Sequence, residues 1–573
     1  PLVLVGGGAG EFLRSLPVTI IYTLLASLRL ALVLSPVLAA RFSGGGRTKP
    51  AGSPSGDVGR MGVRWWPPMA AVMVPLARGY ESILSSLIVR PWRVLIPALV
   101  LGAAGYSLFP MVGVSFFPSS EKPEFLINVE GPEDWSLAQT DSVVREIEAW
   151  LDEDPEVIDY FVNVGRGNPR IYYNVAPERE RANVAQIVVR ASDRDRFGTL
   201  LPRLREKVGL IPDAEILVEP FLNGPPVEAP VAVKIVGPDL DHIVRLAGEV
   251  DALVRTVEGT RDIRAPMLKP RSDLLISINR EKAGLLGVPV AAIDQAVRTA
   301  LEGVPVGRFR DEDGEAYVIS VELDRQGMPE PDDLDRIRVA SRAGDAIPLR
   351  QLADVVFEHV LNRIDHYATI RSTTVTAEIR DGYLSADVIG EVRDLLSGLN
   401  IPVGFRVFMA GEAEELGDSF TDLLRALLLA NLGIFAVLVL QFRSLAQPMI
   451  ILLALPLAIP GSIVALLLAG YTFSFFAFVG LTALAGVVIN NAIILIDTAN
   501  RKRDDGLPPD QAMVSAAGIR LYPILLTTMT TIAGLLPLTL QNSDLWSPLG
   551  WTIIGGMVCS TVLTLFVVPT LYG

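Results

Sequence analysis

Two neighbouring amides interrupt a long apolar stretch in the C-terminal part of the sequence. Asn490 and Asn491 stand side by side within GVVINNAIILID, residues 486–497. Side-chain amides are costly inside a bilayer, because the hydrocarbon core offers no water to hydrogen-bond them. Where they occur, they either join helices to one another or take part in moving a proton or a solute. These residues alone leave both interpretations open.

Helical spacing groups the amides with other small or polar residues. One helical face would hold Ala483, Gly486, Asn490 and Asp497. A similar face in the next apolar run would hold Arg520, Thr527, Thr531 and Gly534. Such faces are typical of helix contacts, so we expect the two faces to meet and exchange hydrogen bonds. The alternative is that these groups only stabilise helix packing, by about 0.6 kcal/mol per pair.

Seven apolar runs are long enough to cross a membrane. They are 17–40, 94–115, 422–441, 447–469, 472–496, 523–540 and 549–571. The loops 41–93, 442–446 and 497–522 carry the basic residues, eight against two acidic residues in the first loop. The positive-inside rule places these loops in the cytoplasm and residues 116–421 on the other side. Within the first loop, 66–93 predicts a helix along the inner membrane surface, with a loosely packed linker as the alternative.

The acidity of the chain belongs to the part predicted to be exported. The 573 residues have a formal net charge of −14. Residues 121–420 hold 55 acidic and 34 basic residues, a net of −21, which leaves the remainder at +7. This argues against nucleic-acid binding. The single cysteine, Cys559, excludes an internal disulfide, and the three histidines lack the spacing of a metal site.

Four strand-like stretches in the exported part resemble one another. They are FLINVEGPED (125–134), AQIVVRASDR (185–194), VAVKIVGPDL (231–240) and TVTAEIRDGY (374–383). Each is followed by a helical pattern and by a second candidate strand. Four such units predict two split-βαβ, ferredoxin-like subdomains, the second interrupted by an insertion of roughly 100 residues. Chance α+β patterning is the alternative. The predicted fold class is an α-helical polytopic membrane protein with an inserted periplasmic α+β region.

Four long motifs resemble the Resistance–Nodulation–Division (RND) efflux transporters, most closely their multidrug branch. The motifs are GEFLRSLPVTIIYTLLASLRLALVLSPVLAARF (10–42), GLTALAGVVINNAIILIDTANRKR (480–503), RLYPILLTTMTTIAGLLPL (520–538) and GWTIIGGMVCSTVLTLFVVPTLY (550–572). They occur in the family's order and with its spacing. Family members have twelve spans and two exported loops, so the resemblance covers the C-terminal half plus span six. Because the sequence starts at Pro1 and stops at Gly573 after an apolar run, we expect a fragment of a longer protein.

The resemblance implies a division of the chain into seven parts. These are the end of span five with span six (1–42), a cytoplasmic loop with an interfacial helix (43–93), span seven (94–116), a first C-terminal porter subdomain (117–220), a second one (221–270 and 370–412), a docking subdomain (271–369) and spans eight to twelve (413–573). It further implies a homotrimer in the bacterial inner membrane with a large periplasmic domain, exporting amphiphilic compounds in exchange for protons. A periplasmic membrane-fusion adaptor and an outer-membrane channel would be its partners, and the proton-motive force would stand in place of any cofactor.

The resemblance also implies roles for the intramembrane polar residues. It assigns Arg520, Thr527, Asn490 and Asn491 to the family's proton relay, and Arg520 and Thr527 match the relay positions of the eleventh span. Asn490 stands where well-known members have a lysine, so its amide can orient a carboxylate or a water but cannot carry that charge. The relay's central carboxylates are expected in span four, outside this sequence.

A substrate-side motif resembles the family's switch loop. It is VNVGRGNPRIYYNV (162–175), in which Gly165, Arg166 and Gly167 match. Tyr172 and Tyr173 are the nearby aromatic residues and would line a pocket with an apolar ring and a hydroxyl each. An ordinary strand edge is the alternative.

Two other functions remain open at this point. A heavy-metal RND exporter would need methionine or carboxylate ligands along its path, and Met328 and Met409 are isolated. A non-transporting fragment that only binds partner subunits is the other. No enzymatic activity is expected.

Overall fold

A computed structural model describes residues 2–42, 67–268, 270–324, 331–361 and 363–572. The first part of the predicted cytoplasmic loop, 43–66, and Met328 lie outside the described residues. The helices are α1 (Gly7–Leu13), α2 (Ser15–Phe42), α3 (Pro67–Ile88), α4 (Trp92–Ser107), α5 (Phe109–Val112), α6 (Leu137–Glu153), α7 (Phe197–Val208), α8 (Leu240–Thr256), α9 (Arg280–Leu285), α10 (Val290–Leu301), α11 (Leu349–Leu352), α12 (Ser385–Ser397), α13 (Glu412–Phe442), α14 (Ala446–Ala469), α15 (Phe475–Asp504), α16 (Pro509–Leu540) and α17 (Ser547–Tyr572).

The strands divide among five sheets. They are β1 (Glu124–Glu130), β2 (Val157–Val164), β3 (Val184–Ala191), β4 (Glu215–Pro220), β5 (Val231–Val236), β6 (Thr260–Arg264), β7 (Pro270–Ile278), β8 (Val304–Arg310), β9 (Ala316–Val321), β10 (Arg338–Ala340), β11 (Ala346–Pro348), β12 (Ala353–Leu361), β13 (Asp365–Tyr367), β14 (Ile370–Ile379) and β15 (Arg406–Ala410).

Seven of the described helices are long and apolar enough to span a membrane, which confirms the predicted number. They are α2, α4 continuing into α5, and α13 to α17. Helix α13 starts about ten residues before its apolar run, so its N-terminal turns stand outside the hydrocarbon core. The prolines at 456 and 460 lie inside α14 without ending it, as is common where neighbouring helices surround a span.

The loops between spans alternate in position as the charge pattern predicts. On the side of the α+β region, the loop before α17 is tied to it by an ion pair of 2.7 Å between Asp544 and Arg194. At the opposite end, Asn500 Nδ2 donates to Gln447 Oε1 at 2.9 Å. The basic run that begins at Arg501 follows Asn500 directly, so this positive loop lies at the end away from the α+β region.

Helix α3 forms within the stretch where an interfacial helix was predicted. It packs against α16 and α17, with Leu84 completely buried. The hydroxyl of Tyr80 donates to the carbonyl of Leu565 at 2.5 Å. These contacts fix the helix to the bundle, so the alternative of a loosely packed linker is wrong for the described part of 66–93.

Glycines allow α14 and α17 to approach closely. A Cβ placed on Gly461 would lie 2.3 Å from the Cβ of Cys559 and 2.4 Å from the carbonyl oxygen of Gly555. Neither Gly461 nor Gly555 could be replaced by a larger residue without the two helices moving apart. Cys559 itself is half-buried in this contact and serves as a small packing residue.

The first α+β unit is an antiparallel sheet with strand order β2-β3-β1-β4. Helices α6 and α7 cover one of its faces. The start of α6 is set by a capping box between Ser136 and Gln139, and its apolar positions Val144, Ile147 and Leu151 are buried against the sheet.

The second unit repeats this arrangement. Its sheet runs β6-β14-β5-β15, with β13 added beside β14, and helices α8 and α12 provide the buried face. All four predicted strand–helix–strand units are therefore present as secondary structure. The chain between β6 and β14 forms a separate cluster around the β7–β12 pair. From this insertion projects a two-stranded ribbon of β8 and β9, in which every residue after Val304 is exposed.

Candidate functional site

The polar contact between α15 and α16 joins Arg520 to Thr498. The guanidinium Nε of Arg520 donates to Thr498 Oγ1 at 2.8 Å. Thr498 in turn donates to the carbonyl of Ile494 on its own helix, so its hydroxyl is oriented to accept. The guanidinium group of Arg520 therefore lies closer than Asn490 and Asn491 to the predicted cytoplasmic end of these helices.

The expected contact between the asparagines and Thr527 does not form. Thr527 is exposed, and its hydroxyl donates to the carbonyl of Ile524 on its own helix. Within the described part of the chain, neither Asn490 nor Asn491 has a hydrogen-bond partner. The predicted hydrogen bonds between the asparagines and Thr527 are therefore absent, and the polar contact between the two helices forms about two turns nearer the predicted cytoplasmic end, between Arg520 and Thr498.

The predicted helix faces point away from the core of the chain. Ala483, Gly486 and Asn490 on α15 are exposed, as are Thr527 and Gly534 on α16, with Thr531 half-buried. Asn491, one position further and so about 100° around the helix, is the amide turned inward and is buried. Both helices thus present small and polar residues that no described element covers.

Asp497 has a local partner at the end of α15. It forms an ion pair with Arg501 one turn later at 2.9 Å, and the arginine is largely exposed. A pair of this kind contributes little to stability. It leaves Asp497 as a solvated residue at the helix end.

Two glycines shape the predicted switch loop. Gly165 has φ +81°, a conformation that a β-carbon disfavours. At Gly167, a Cβ would lie 2.4 Å from the backbone nitrogen of Glu178, which belongs to the returning half of the same loop. Arg166 between them is exposed. The loop that links β2 to β3 therefore requires glycine at both positions to adopt this conformation.

The two tyrosines of this loop pack at its base. Tyr172 is buried, with its ring stacked on Phe221 at 4.7 Å between centroids and its hydroxyl donating to Asn223 Oδ1 at 3.1 Å. The hydroxyl of Tyr173 accepts a hydrogen bond from the backbone N–H of Gly224 at 2.8 Å. The alternative of an ordinary strand edge does not describe them, and neither ring lines the neighbouring cavity.

An aromatic series connects this loop to the membrane. Tyr173 stacks on Phe12 of α1 at 5.8 Å, and Phe12 meets the edge of Phe117 at 5.5 Å. Phe117 stacks on Phe475, the first residue of α15, at 5.2 Å. The switch-loop residues and the helix that carries Asn490 are thus joined by continuous ring contacts.

Two glutamates lie between the two α+β units. Strand alternation turns Val218 and Ala377 into their cores, and so directs Glu219 and Glu378 to the helix-free faces. Burial, and then repulsion from Glu219, raise the pKa of Glu378 to about 8, against the opposing effect of two nearby arginines. Glu378 therefore keeps its proton to a higher pH than a solvated glutamate does.

A cavity of about 180 Å³ adjoins this pair. The segment that links the two units forms one wall and supplies mostly apolar residues, Pro225, Pro226, Val227, Ala229 and Pro230. The rest of the lining combines apolar residues such as Phe221 and Leu222 with a few polar groups, namely Asn174, Arg261 and the two glutamates. The guanidinium of Arg261 is held by the carbonyl of Ile379, to which its Nε donates at 2.9 Å.

Three of these residues were missed in the sequence, namely Glu219, Glu378 and Thr498. The alternation along EILVE and VTAEI indicates that Glu219 and Glu378, respectively, point away from the core face of their strands. Nothing in one sequence indicates that the two faces oppose each other. Thr498 is one turn from Ile494 in an apolar helix and carries no distinguishing signal.

Comparison with known proteins places these sites in context. A family model described as the AcrB/AcrD/AcrF family matches residues 1–573. The swarming motility protein SwrC of Bacillus subtilis (strain 168) is 25% identical over 603 residues, which covers 100% of this chain and 53% of that protein. Two crystal forms of a heavy metal efflux pump share the fold, with TM-scores of 0.73 and 0.72 at 24% and 25% identity. They match 87% of this chain and 51% and 52% of theirs, so this chain spans about half the length of these relatives.

Proposed function

The chain belongs to the AcrB/AcrD/AcrF family of RND permeases, and from this we propose that it supplies the C-terminal half of an efflux pump that exports amphiphilic compounds in exchange for protons. The family consists of transporters, not enzymes. We use the term assembled permease for this chain together with the polypeptide that completes the length of its relatives.

The cavity between the two α+β units carries this proposal. A mostly apolar lining with a few polar groups suits a molecule with an apolar body and a polar or charged end. The cavity lies on the same side of the membrane as the loop held by Asp544 and Arg194. A substrate entering there would be collected from outside the cytoplasm or from the outer surface of the bilayer.

The proton path is proposed to run along the uncovered faces of α15 and α16. Arg520 supplies a fixed positive charge, and Thr527 and Asn490 on these faces supply groups that can bond a carboxylate or a water. Asn491, buried on the inner side of α15, would supply a further amide next to the path. The described spans hold no carboxylate near mid-membrane, so the residue that takes up the proton would come from the other half of the assembled permease. The proton-motive force, rather than a cofactor, would drive export.

The domain assignments are proposals that rest on strand order. Both sheets place their strands as second, third, first and fourth in chain order, which is the arrangement of a split-βαβ, ferredoxin-like unit. We assign 117–220 and 221–270 with 370–412 to two porter subdomains. Residues 271–369, with the exposed ribbon, are assigned to the docking subdomain. The loop around Gly165 is assigned to the family's switch loop.

A homotrimer would cover the β8–β9 ribbon. Its apolar side chains are exposed on both faces, among them Phe309, Tyr317 and Val318. A two-stranded ribbon of this kind is at best marginally stable alone in water. RND permeases generally form trimers with an adaptor and an outer-membrane channel, and we propose the same partners here, with the chain in the inner membrane and its α+β region in the periplasm.

Heavy-metal export is the second candidate, because the solved structures are those of a heavy metal efflux pump. Among the described residues, no group of three His, Cys, Asp or Glu side chains could hold a metal ion. Met409 lies on β15 at the edge of a hydrophobic core. The cavity therefore favours an organic amphiphile over a metal ion.

A thiol-blocking experiment tests the proposal. In the assembled permease with Cys559→Ala, Val227→Cys places a thiol in the cavity wall, and Val403→Cys places one on a fully exposed loop. A bulky maleimide should stop efflux of an amphiphilic dye from cells that carry Val227→Cys and leave Val403→Cys cells unaffected. Equal efflux from both labelled variants would exclude the cavity as the substrate path. A purely partner-binding chain would show no efflux before labelling.

A further inference from the structure

A charged side chain lies near the middle of the membrane segment of α2. Arg29 is 14 residues after Ser15 and 12 before Arg41, the ends of this span. At 1.5 Å per residue, it lies about 20 Å from either end. An arginine at this depth is not bathed in bulk water, and such residues usually pair with another group in the protein.

Within the described chain, nothing pairs with Arg29. Every residue from Val18 to Arg41 is exposed, and α2 meets the rest of the chain only at its start, through α1 and the turn at Leu2–Leu4. The described acidic residues of the other spans lie at the ends of the apolar runs, as Asp422 and Asp497 do. Within the part of the chain that the structure describes, the charge of Arg29 is therefore uncompensated.

The face around Arg29 has the form of a helix-binding surface. Leu25 and Val33 lie one turn before and one turn after the arginine, and both are exposed. An apolar stripe interrupted by one central cation is complementary to an apolar helix with one central carboxylate. Guanidinium pairs with carboxylate through two parallel hydrogen bonds, which fixes depth and orientation together.

We propose that Arg29 anchors α2 to a membrane helix outside this chain that carries a carboxylate near mid-membrane. The relatives are about twice as long as this chain, which leaves room for such a helix. Neither the cavity nor proton coupling enters this inference, so it does not depend on the proposed function.

Model helices test the pairing directly. The tagged chain is produced in membranes together with a single-span polyleucine helix that has glutamate, glutamine or leucine at its midpoint. We expect about fivefold more of the glutamate helix than of the glutamine helix to be retained with the chain, the scale of a strong polar contact between membrane helices. Arg29→Leu should abolish this preference, Arg29→Lys should keep part of it, and Arg41→Leu at the span end should not change it.

Cross-linking fixes the location independently of any folding defect in these variants. With Cys559→Ala, Val33→Cys should form a disulfide with a cysteine placed beside the glutamate of the model helix, whereas Ala31→Cys on another face should not. Equal retention of the glutamate and glutamine helices, or a preference that survives Arg29→Leu, would overturn the proposal. A preference that disappears in membranes enriched in phosphatidylglycerol would also overturn it, because lipid phosphate would then be the partner.

Discussion

Glu219 and Glu378 belong to different sheets and line the same cavity at the boundary between the two units. Neighbouring carboxylates repel each other when both are ionised, so Glu219 adds to the burial that raises the pKa of Glu378. A second link, the ion pair between Arg205 and Asp381 at 2.8 Å, joins the same units but is more exposed. The boundary is therefore sensitive to pH mainly through the glutamates.

Stability should fall as the pH rises from about 4.5 to about 8. The pKa of Glu378 is raised to about 8 in the folded chain from 4.5, so the folded state holds the proton more tightly than the unfolded state. Its contribution is complete below pH 4.5 and is lost as the pH rises to about 8. Thermal unfolding of the purified chain between pH 5 and 9 should show this loss, and Glu378→Gln should flatten it.

The exposed Glu391→Gln is the matched control, because it also removes one carboxylate without touching the boundary. If Glu391→Gln and Glu378→Gln flattened the profile equally, the proton held by Glu378 could not be its cause.

The hydrogen bond between Arg520 and Thr498 should contribute more to the unfolding free energy than the hydrogen bond of an ordinary threonine hydroxyl. Thr498→Val removes the acceptor of a charged donor, and we expect a loss of about 2 kcal/mol of unfolding free energy in detergent. Thr482→Val, on the same helix, removes a buried hydroxyl that bonds only the carbonyl of Val479, so it should cost about 1 kcal/mol or less. Equal losses from the two valines would argue that Arg520 gains nothing from the contact.

Two glycines in membrane helices should respond to alanine with opposite signs. At Gly461 the added methyl meets Cys559 and Gly555, and overpacking of this kind costs about 1–3 kcal/mol. At Gly433 on α13 nothing lies within 4 Å, and alanine should stabilise the helix by up to about 1 kcal/mol. Unfolding of both variants in the same detergent checks the pair. A stable Gly461→Ala would contradict the close approach of α14 and α17.

Thiol labelling should report opposite sides of the membrane for two positions outside the apolar runs. With Cys559→Ala, an impermeant maleimide added to intact spheroplasts should label Glu312→Cys in the loop of the exposed ribbon and spare Lys502→Cys. Labelling after membrane disruption provides the control for reactivity. The reverse pattern would invert the predicted topology.

The helices and strands of this fold could be predicted from the sequence where a pattern of apolar residues continues over many consecutive positions. Apolar length predicted seven spans, and alternation followed by helical spacing predicted the four strand–helix–strand units. The bounds of α3, Pro67–Ile88, also fall within the predicted stretch 66–93. These features depend on neighbours along the chain, which a single sequence displays.

The contacts between elements were less accessible. Spacing placed Asn490 and Thr527 on small, polar faces correctly, but it did not indicate at which level α15 and α16 make their polar contact, and the bond forms between Arg520 and Thr498 instead. The meeting of Glu219 with Glu378 depends on how two sheets are set against each other. Such geometry arises from packing over a long stretch of intervening chain, which no local pattern encodes.

Proton movement coupled to dye export tests the central claim most directly. The assembled permease is placed in liposomes with an acidic lumen, a pH-sensitive dye reports the lumen, and an amphiphilic cation is added outside. We predict that addition of the cation accelerates alkalinisation of the lumen while the cation accumulates inside, and that Arg520→Ala abolishes both changes while leaving assembly intact. Accumulation of the cation with no change in the lumenal pH, or unchanged coupling in Arg520→Ala, would contradict the account.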